Sequence, residues 1–178
     1  MNVLLTTILV GISLSMDAFS LSLIYGTNGL KKKDIFLLSI IVGIFHFFMP
    51  LIGIFFGNLI YKYFIFNLNL VVSIIFGIIG IEMLISSFKD EEINISTNIL
   101  GFLIFGLSVS IDSLTTGIGL SVINNNYIQC SSVFMLTSTI FTYLGLVLGN
   151  KLNNRLGNFS TTIGGIILML LSIYYLIG

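Results

Sequence analysis

Apolar residues in this chain do not alternate with polar ones in the short rhythm of a half-buried strand. They run on in long blocks, and the polar residues collect between the blocks. A helix needs about 20 mainly apolar residues to cross the hydrocarbon core of a bilayer. Six blocks approach or pass that length: 3–25, 35–60, 70–88, 99–123, 128–149 and 161–177. The connecting stretches KKKD (from Lys31), YKYFIFN (from Tyr61), KDEEINIST (from Lys89), NNNY (from Asn124) and NKLNNRLGN (from Asn150) are too short for a separate soluble domain. The pattern predicts an all-α membrane protein of six transmembrane helices in a single transmembrane domain over residues 1–178. The first block lacks a basic leader and an A-x-A-like cleavage site, so it is expected to be a retained helix rather than a secretory signal.

Composition agrees with this and narrows the function. The chain is 56% hydrophobic and 8% charged, whereas a soluble domain carries about a quarter charged residues. Its solvent is therefore a lipid bilayer. Seven basic and seven acidic residues balance to zero, which leaves no nucleic-acid footprint. Cys130 is the single cysteine and excludes an intrachain disulfide. Loops after the first, third and fifth helices hold Lys31, Lys32, Lys33, Lys89, Lys151 and Arg155, while the opposite side holds only Lys62. Cytoplasmic loops collect Lys and Arg, so both termini are expected outside the plasma membrane.

An internal repeat organises the blocks. LSVSIDSLTTGIGL (from Leu107) aligns with the first helix at one offset: Ser108 with Ser13, Ser110 with Ser15, Asp112 with Asp17 and Thr115 with Ser20. GIFFGN (from Gly53) is answered by GLVLGN (from Gly145), and GIIG (from Gly77) has a fainter echo in GGII (from Gly164). The chain reads as two halves of three helices, about 1–92 and 93–178. Three is an odd number, so the second half must insert upside down. Inverted repeats of this kind are typical of secondary transporters, which bind substrate near the midplane where the halves meet.

Two acids sit where the halves would meet. Asp17 lies near the middle of the first helix and Asp112 near the middle of the fourth. Each opposes insertion by about 2.5 to 3.5 kcal/mol at a helix centre, so a function must justify them. Ser13 and Ser20 flank Asp17, and Ser108, Thr115 and Thr116 flank Asp112, at helical spacing. Small residues beside them, Ala18, Gly117 and Gly119, predict a close crossing of the first and fourth helices. Two facing carboxylates with hydroxyl and carbonyl oxygens make a hard donor set suited to Mg, Ca or Mn. When the ion leaves, two adjacent carboxylates in low dielectric favour uptake of a proton, so proton-for-metal exchange is expected.

Further polar residues extend the candidate site. His46 precedes Pro50 by one turn in FHFFMPLIG, and is read as a third metal ligand or proton carrier, or alternatively as an interhelical hydrogen bond. Pro50 removes one backbone hydrogen bond and frees a carbonyl. Glu82 is expected as a vestibule acid or an ion-pair partner of a basic loop residue such as Lys89. Asn58 and Asn150, paired by the repeat, are expected to cap helix ends.

SMDAF at Ser15, PLIG at Pro50 and SIDSLTTGIGL at Ser110 together resemble the MntP-like manganese efflux pumps, small bacterial six-helix inner-membrane proteins with an internal duplication. The resemblance spans essentially the whole chain. It implies Mn2+ export, with Asp17 and Asp112 matching that family's transmembrane aspartates. His46 stands where those pumps carry an acid, and Glu82 where they carry an arginine. A histidine before PLIG is similar to the related sporulation membrane protein YtaF branch. The expected function is thus secondary export of divalent cations, Mn2+ foremost, in a bacterial plasma membrane. The cation is substrate, no cofactor is tightly bound, and no enzymatic reaction is expected. A non-transporting membrane protein with a structural or sporulation role is the alternative. An intramembrane aspartyl protease would need a GxGD-type context, and Asp112 follows Ser110 and Ile111.

Overall fold

The computed structural model describes residues 3–27, 29–63, 68–88, 98–121, 126–150 and 155–177. These residues form helices and connecting turns, with no strand among them. The helices are α1 (Val3–Gly26), α2 (Lys32–Tyr63), α3 (Leu68–Ser86), α4 (Ile99–Val109), α5 (Ile111–Leu120), α6 (Tyr127–Gly149) and α7 (Arg155–Ile177). Four stretches among the described residues are long and apolar enough to span a membrane: Leu5–Gly26, Lys32–Leu59, Ile99–Leu120 and Tyr127–Gly149. Leu70–Ile85 and Thr162–Ile177 are shorter apolar helices.

The fourth predicted helix departs from expectation. It is broken at Ser110, whose backbone (φ −104°, ψ 1°) leaves the helical region. Hydroxyls compensate for the interruption: Ser110 Oγ donates to the Leu107 carbonyl at 3.1 Å, and Ser113 Oγ donates to the Ser110 carbonyl at 2.6 Å. Serine side chains offer the backbone an alternative to the regular ladder, and here they complete the break. Asp112 consequently lies in the first turn of α5, not at the middle of a continuous helix. By contrast, α2 passes through Pro50 without interruption.

Glycines set how the helices meet. Along one seam, Gly11 lies against Phe134, Gly145 against the Phe19 carbonyl, and Gly149 against the Leu23 carbonyl, so α1 and α6 run parallel in close contact. Along another, Gly106 lies against Phe45, Gly53 against the Leu114 carbonyl, and Gly57 against the Ile118 carbonyl, which makes α2 parallel to α4 and α5. Gly80 of α3 and Gly165 of α7 each face the other's carbonyl. A Cβ would press into side chains at Gly11 and Gly106 and into backbone at the others, so small residues are what allow the helices to approach. The expected tight crossing of the first and fourth helices is not found; α1 and α4 meet through large side chains, Tyr25 against Phe102 and Phe105, rather than by close backbone approach.

Two apolar clusters lie inside the bundle. One joins Val10 and Leu14 of α1 to Val72 and Phe76 of α3, Leu120 of α5, and Leu168 and Leu171 of α7. The other joins Ala18 and Tyr25 of α1 to Leu38 and Val42 of α2 and Phe102, Phe105 and Val109 of α4. The helices α3 and α7 contribute to the first cluster and not to the core of the second.

The capping expectation holds at one end only. Asn150 is the C-cap residue of α6, and its Nδ2 donates to the Leu30 carbonyl at 3.3 Å. Asn58 ends no helix; it lies within α2 and donates to the Tyr127 hydroxyl at 3.3 Å. The basic residues Lys89 and Lys151 lie outside the described residues.

Candidate cation site

Asp17 sits in the third quarter of α1, half-buried, on the face that also carries Ser13 and Ser20. Ser13 is fully enclosed and donates to the Leu9 carbonyl at 2.8 Å, and Ser20 is buried. Gly164 of α7 lies against this side of α1, at the Ser13 carbonyl and the Met16 side chain. The neighbouring Ser15 points elsewhere: its Oγ is 3.3 Å from Ser138 Oγ, in the seam with α6.

Asp112 is held by the start of α5. Its Oδ1 accepts the Ser113 N–H at 2.7 Å, and the positive end of the helix dipole lies beside it. Its Oδ2 is enclosed without a hydrogen-bond partner among the described residues. Asp17 and Glu82 both lie within electrostatic reach of this carboxyl. Thr116, one turn further, is buried, its Oγ1 without a partner among the described residues, and Thr115 is half-buried. Ser108 is exposed, its Oγ donating to the Ile104 carbonyl at 2.8 Å. Glu82 is exposed on α3.

His46 belongs to a different surface. It lies on the α2 stripe of Pro50, Gly53 and Gly57, which packs on the Leu114 and Gly117 side of α5. Asp112 precedes Leu114 by two residues, which is 200° around an α-helix and so on the opposite face. The imidazole is fully buried, with Nδ1 3.0 Å from the Val42 carbonyl and Nε2 without a partner among the described residues. Among the described residues, no three His, Cys, Asp or Glu side chains come together as a possible metal-binding group. Asp17 and Glu82 thus each act electrostatically on the Asp112 carboxyl, whereas His46 shares the α2 stripe whose Pro50 and Gly53 meet α5 at Gly117 and Leu114. Pro50 serves packing, its carbonyl and Cα lying against Gly117.

Two features of the site were absent from the sequence reading. One is the helix break; its signal was available, because Ser113 replaces Ala18 of the first repeat and supplies the extra hydroxyl. The other is a line of buried hydroxyls between α1 and α6. It includes Ser15 and Ser138, with Ser22 and Thr142 further along, each with an unpartnered oxygen.

The acids that act on Asp112, Asp17 and Glu82, and the hydroxyl of Thr116 one turn on are oxygen donors. Such donors match hard divalent cations.

Comparison with known proteins agrees with that chemistry. A family model described as "Putative manganese efflux pump" matches residues 29–176. A Bacillus pumilus protein named "Putative manganese efflux pump MntP" is 34% identical over 171 residues, covering 93% of this chain and 91% of its own. A Clostridium botulinum protein named "Putative manganese efflux pump MntP 1" is 38% identical over 170 residues, covering 91% and 92% respectively. A Geobacillus thermodenitrificans protein with the first of these names is 33% identical over 165 residues, covering 90% and 88%. No solved structure matches the chain.

Proposed function

Because the chain belongs to the MntP family of manganese efflux pumps, we propose that it exports divalent cations, Mn2+ first among them, from the bacterial cytosol. Asp17 and Asp112 are the carboxylate ligands, with Thr116 and backbone oxygens nearby. The observation that carries this reading is the Asp112 carboxyl: one oxygen is enclosed without a partner, and a second aspartate lies within electrostatic reach. A buried carboxylate left in that state is costly unless a cation or a proton satisfies it.

Transport proceeds by alternating access of two inverted halves, about 1–92 and 93–178. Matched packing supports this. The Phe19 carbonyl meets Gly145 as the Leu114 carbonyl meets Gly53, so each half grips the other by the same repeat positions. The broken helix beside Asp112 fits as well, since discontinuous helices commonly form transporter sites. The distribution of basic residues supports a topology with both termini outside. Departure of the ion would leave two neighbouring carboxylates, and uptake of protons by them couples export to the proton gradient.

Intracellular metal content, measured element by element in cells with and without the protein, tests the reading. Expressing cells should hold less manganese, and Asp17→Asn and Asp112→Asn should restore the level of cells lacking it. Unchanged content of every divalent metal would refute export.

A further inference from the structure

Besides the helix break, the two halves differ in how one seam beside each acid is packed. On the α1 side the seam with α7 is shut. Gly164 lies on the Ser13 carbonyl, the Tyr175 hydroxyl reaches Thr6 Oγ1 at 3.5 Å, and Ser13 itself is 0% exposed. The matching seam, α3 against α4 and α5, is closed along α5, where Gly119 lies against Ile75, but α3 and α4 make at most marginal contact. The buried residues of α4, Phe102, Phe105 and Val109, face α1 and α2 instead. Ser108, which corresponds to Ser13 in the repeat, is exposed, as are Ile104 and Leu107 beside it and Glu82 on α3.

An ionisable side chain on an otherwise apolar helix face belongs against water or protein, not lipid. Glu82 lies one turn from the end of α3, on the side where the basic residues place the cytosol. Asp112 is within its electrostatic reach. We propose that this is the cytosol-open conformation, and that a divalent cation enters between α3 and α4, meeting Glu82 first and Asp112 second. The proposal rests on the export reading for the identity of the ion, but the open seam itself is independent of it. Glu82 acts as a capture residue: its charge concentrates cations at the mouth of the cleft. The outer seam between α1 and α7 is the gate that must part for release.

Sided thiol labelling tests the seam. In a Cys130→Ser background, Ser108→Cys and Ser13→Cys are exposed separately to a membrane-impermeant, water-requiring thiol reagent from each face. Ser108→Cys should react from the cytosolic face and be slowed by Mn2+, and Ser13→Cys should react from neither. A Ser108→Cys thiol inert from the cytosolic face, as it would be against lipid or a second copy, overturns the cleft. So does reaction of Ser13→Cys from outside. Transport kinetics test Glu82: Glu82→Gln should raise the KM for Mn2+ about tenfold with little change in kcat, and an unchanged KM removes it from the route. If the unmutated protein moves no manganese while the labelling pattern holds, the export reading and the role of Glu82 fail but the cleft stands.

Discussion

The helices that carry the two acids have matching sequences and different conformations. Helix α1 runs unbroken from Val3 to Gly26 past Asp17, whereas its repeat partner stops at Ser110 and restarts as α5 just before Asp112. Both contain a serine two residues before the acid. Ser15 donates to the Gly11 carbonyl four residues back and leaves the helix intact. Ser110 donates to the Leu107 carbonyl three residues back, and Ser113, standing where the first half has Ala18, takes up the Ser110 carbonyl. The Ser113 hydroxyl, which the first half lacks, is thus one of the groups that take up the backbone at the break. The glycine seams are duplicated faithfully, so the repeat governs how the halves grip each other. Local hydroxyl chemistry then gives only the second acid a helix N-terminus.

Loss of either charge should have the largest effect and tests whether the two acids are equals despite this difference. Asp17→Asn and Asp112→Asn should each reduce manganese export at least about 100-fold, beyond what loss of a merely supporting group costs. A mild effect at Asp17 alone would make the site one-sided. Next come the seams. Gly53→Ala and Gly145→Ala drive a Cβ towards the Leu114 and Phe19 carbonyls, and each should lower stability in detergent by about 1 to 3 kcal/mol. Similar losses in thermal unfolding would confirm that the seams are equivalent.

Smaller still is Ser113→Ala, which gives the second half the residue of the first. Losing this hydrogen bond should cost about 1 kcal/mol, and export should fall as the break relaxes; unaltered export would show that the break is incidental. The smallest effect on transport is expected at His46. His46→Gln should cost about 1 kcal/mol through the contact with the Val42 carbonyl, yet leave the manganese KM unchanged. A raised KM would bring the imidazole back to the site.

The sequence made the helices legible because a bilayer demands long apolar runs, and it made the pair of acids legible because a charge is expensive there. It also exposed the duplication through residues repeated at one offset. It did not reveal which face of α5 each polar residue occupies. His46 and Asp112 are both central and polar, but only the structure shows that the His46 stripe of α2 packs on the Leu114 and Gly117 face of α5. Nor did small residues beside the acids predict the right neighbours: Gly117 serves the seam with α2, not a crossing of the first and fourth helices. Small residues announce close approach without naming the partner. The open seam by Ser108 was equally hidden, since Ser13 and Ser108 are the same residue at matching positions and differ only in what packs over them.

The most direct measurement is manganese movement in proteoliposomes containing the purified protein, loaded with unlabelled Mn2+ and supplied with a trace of labelled Mn2+ outside. The protein should accumulate label by exchange, and Asp17→Asn or Asp112→Asn should abolish that accumulation while the protein remains folded. Exchange that persists in both variants would contradict a carboxylate pair as the cation site.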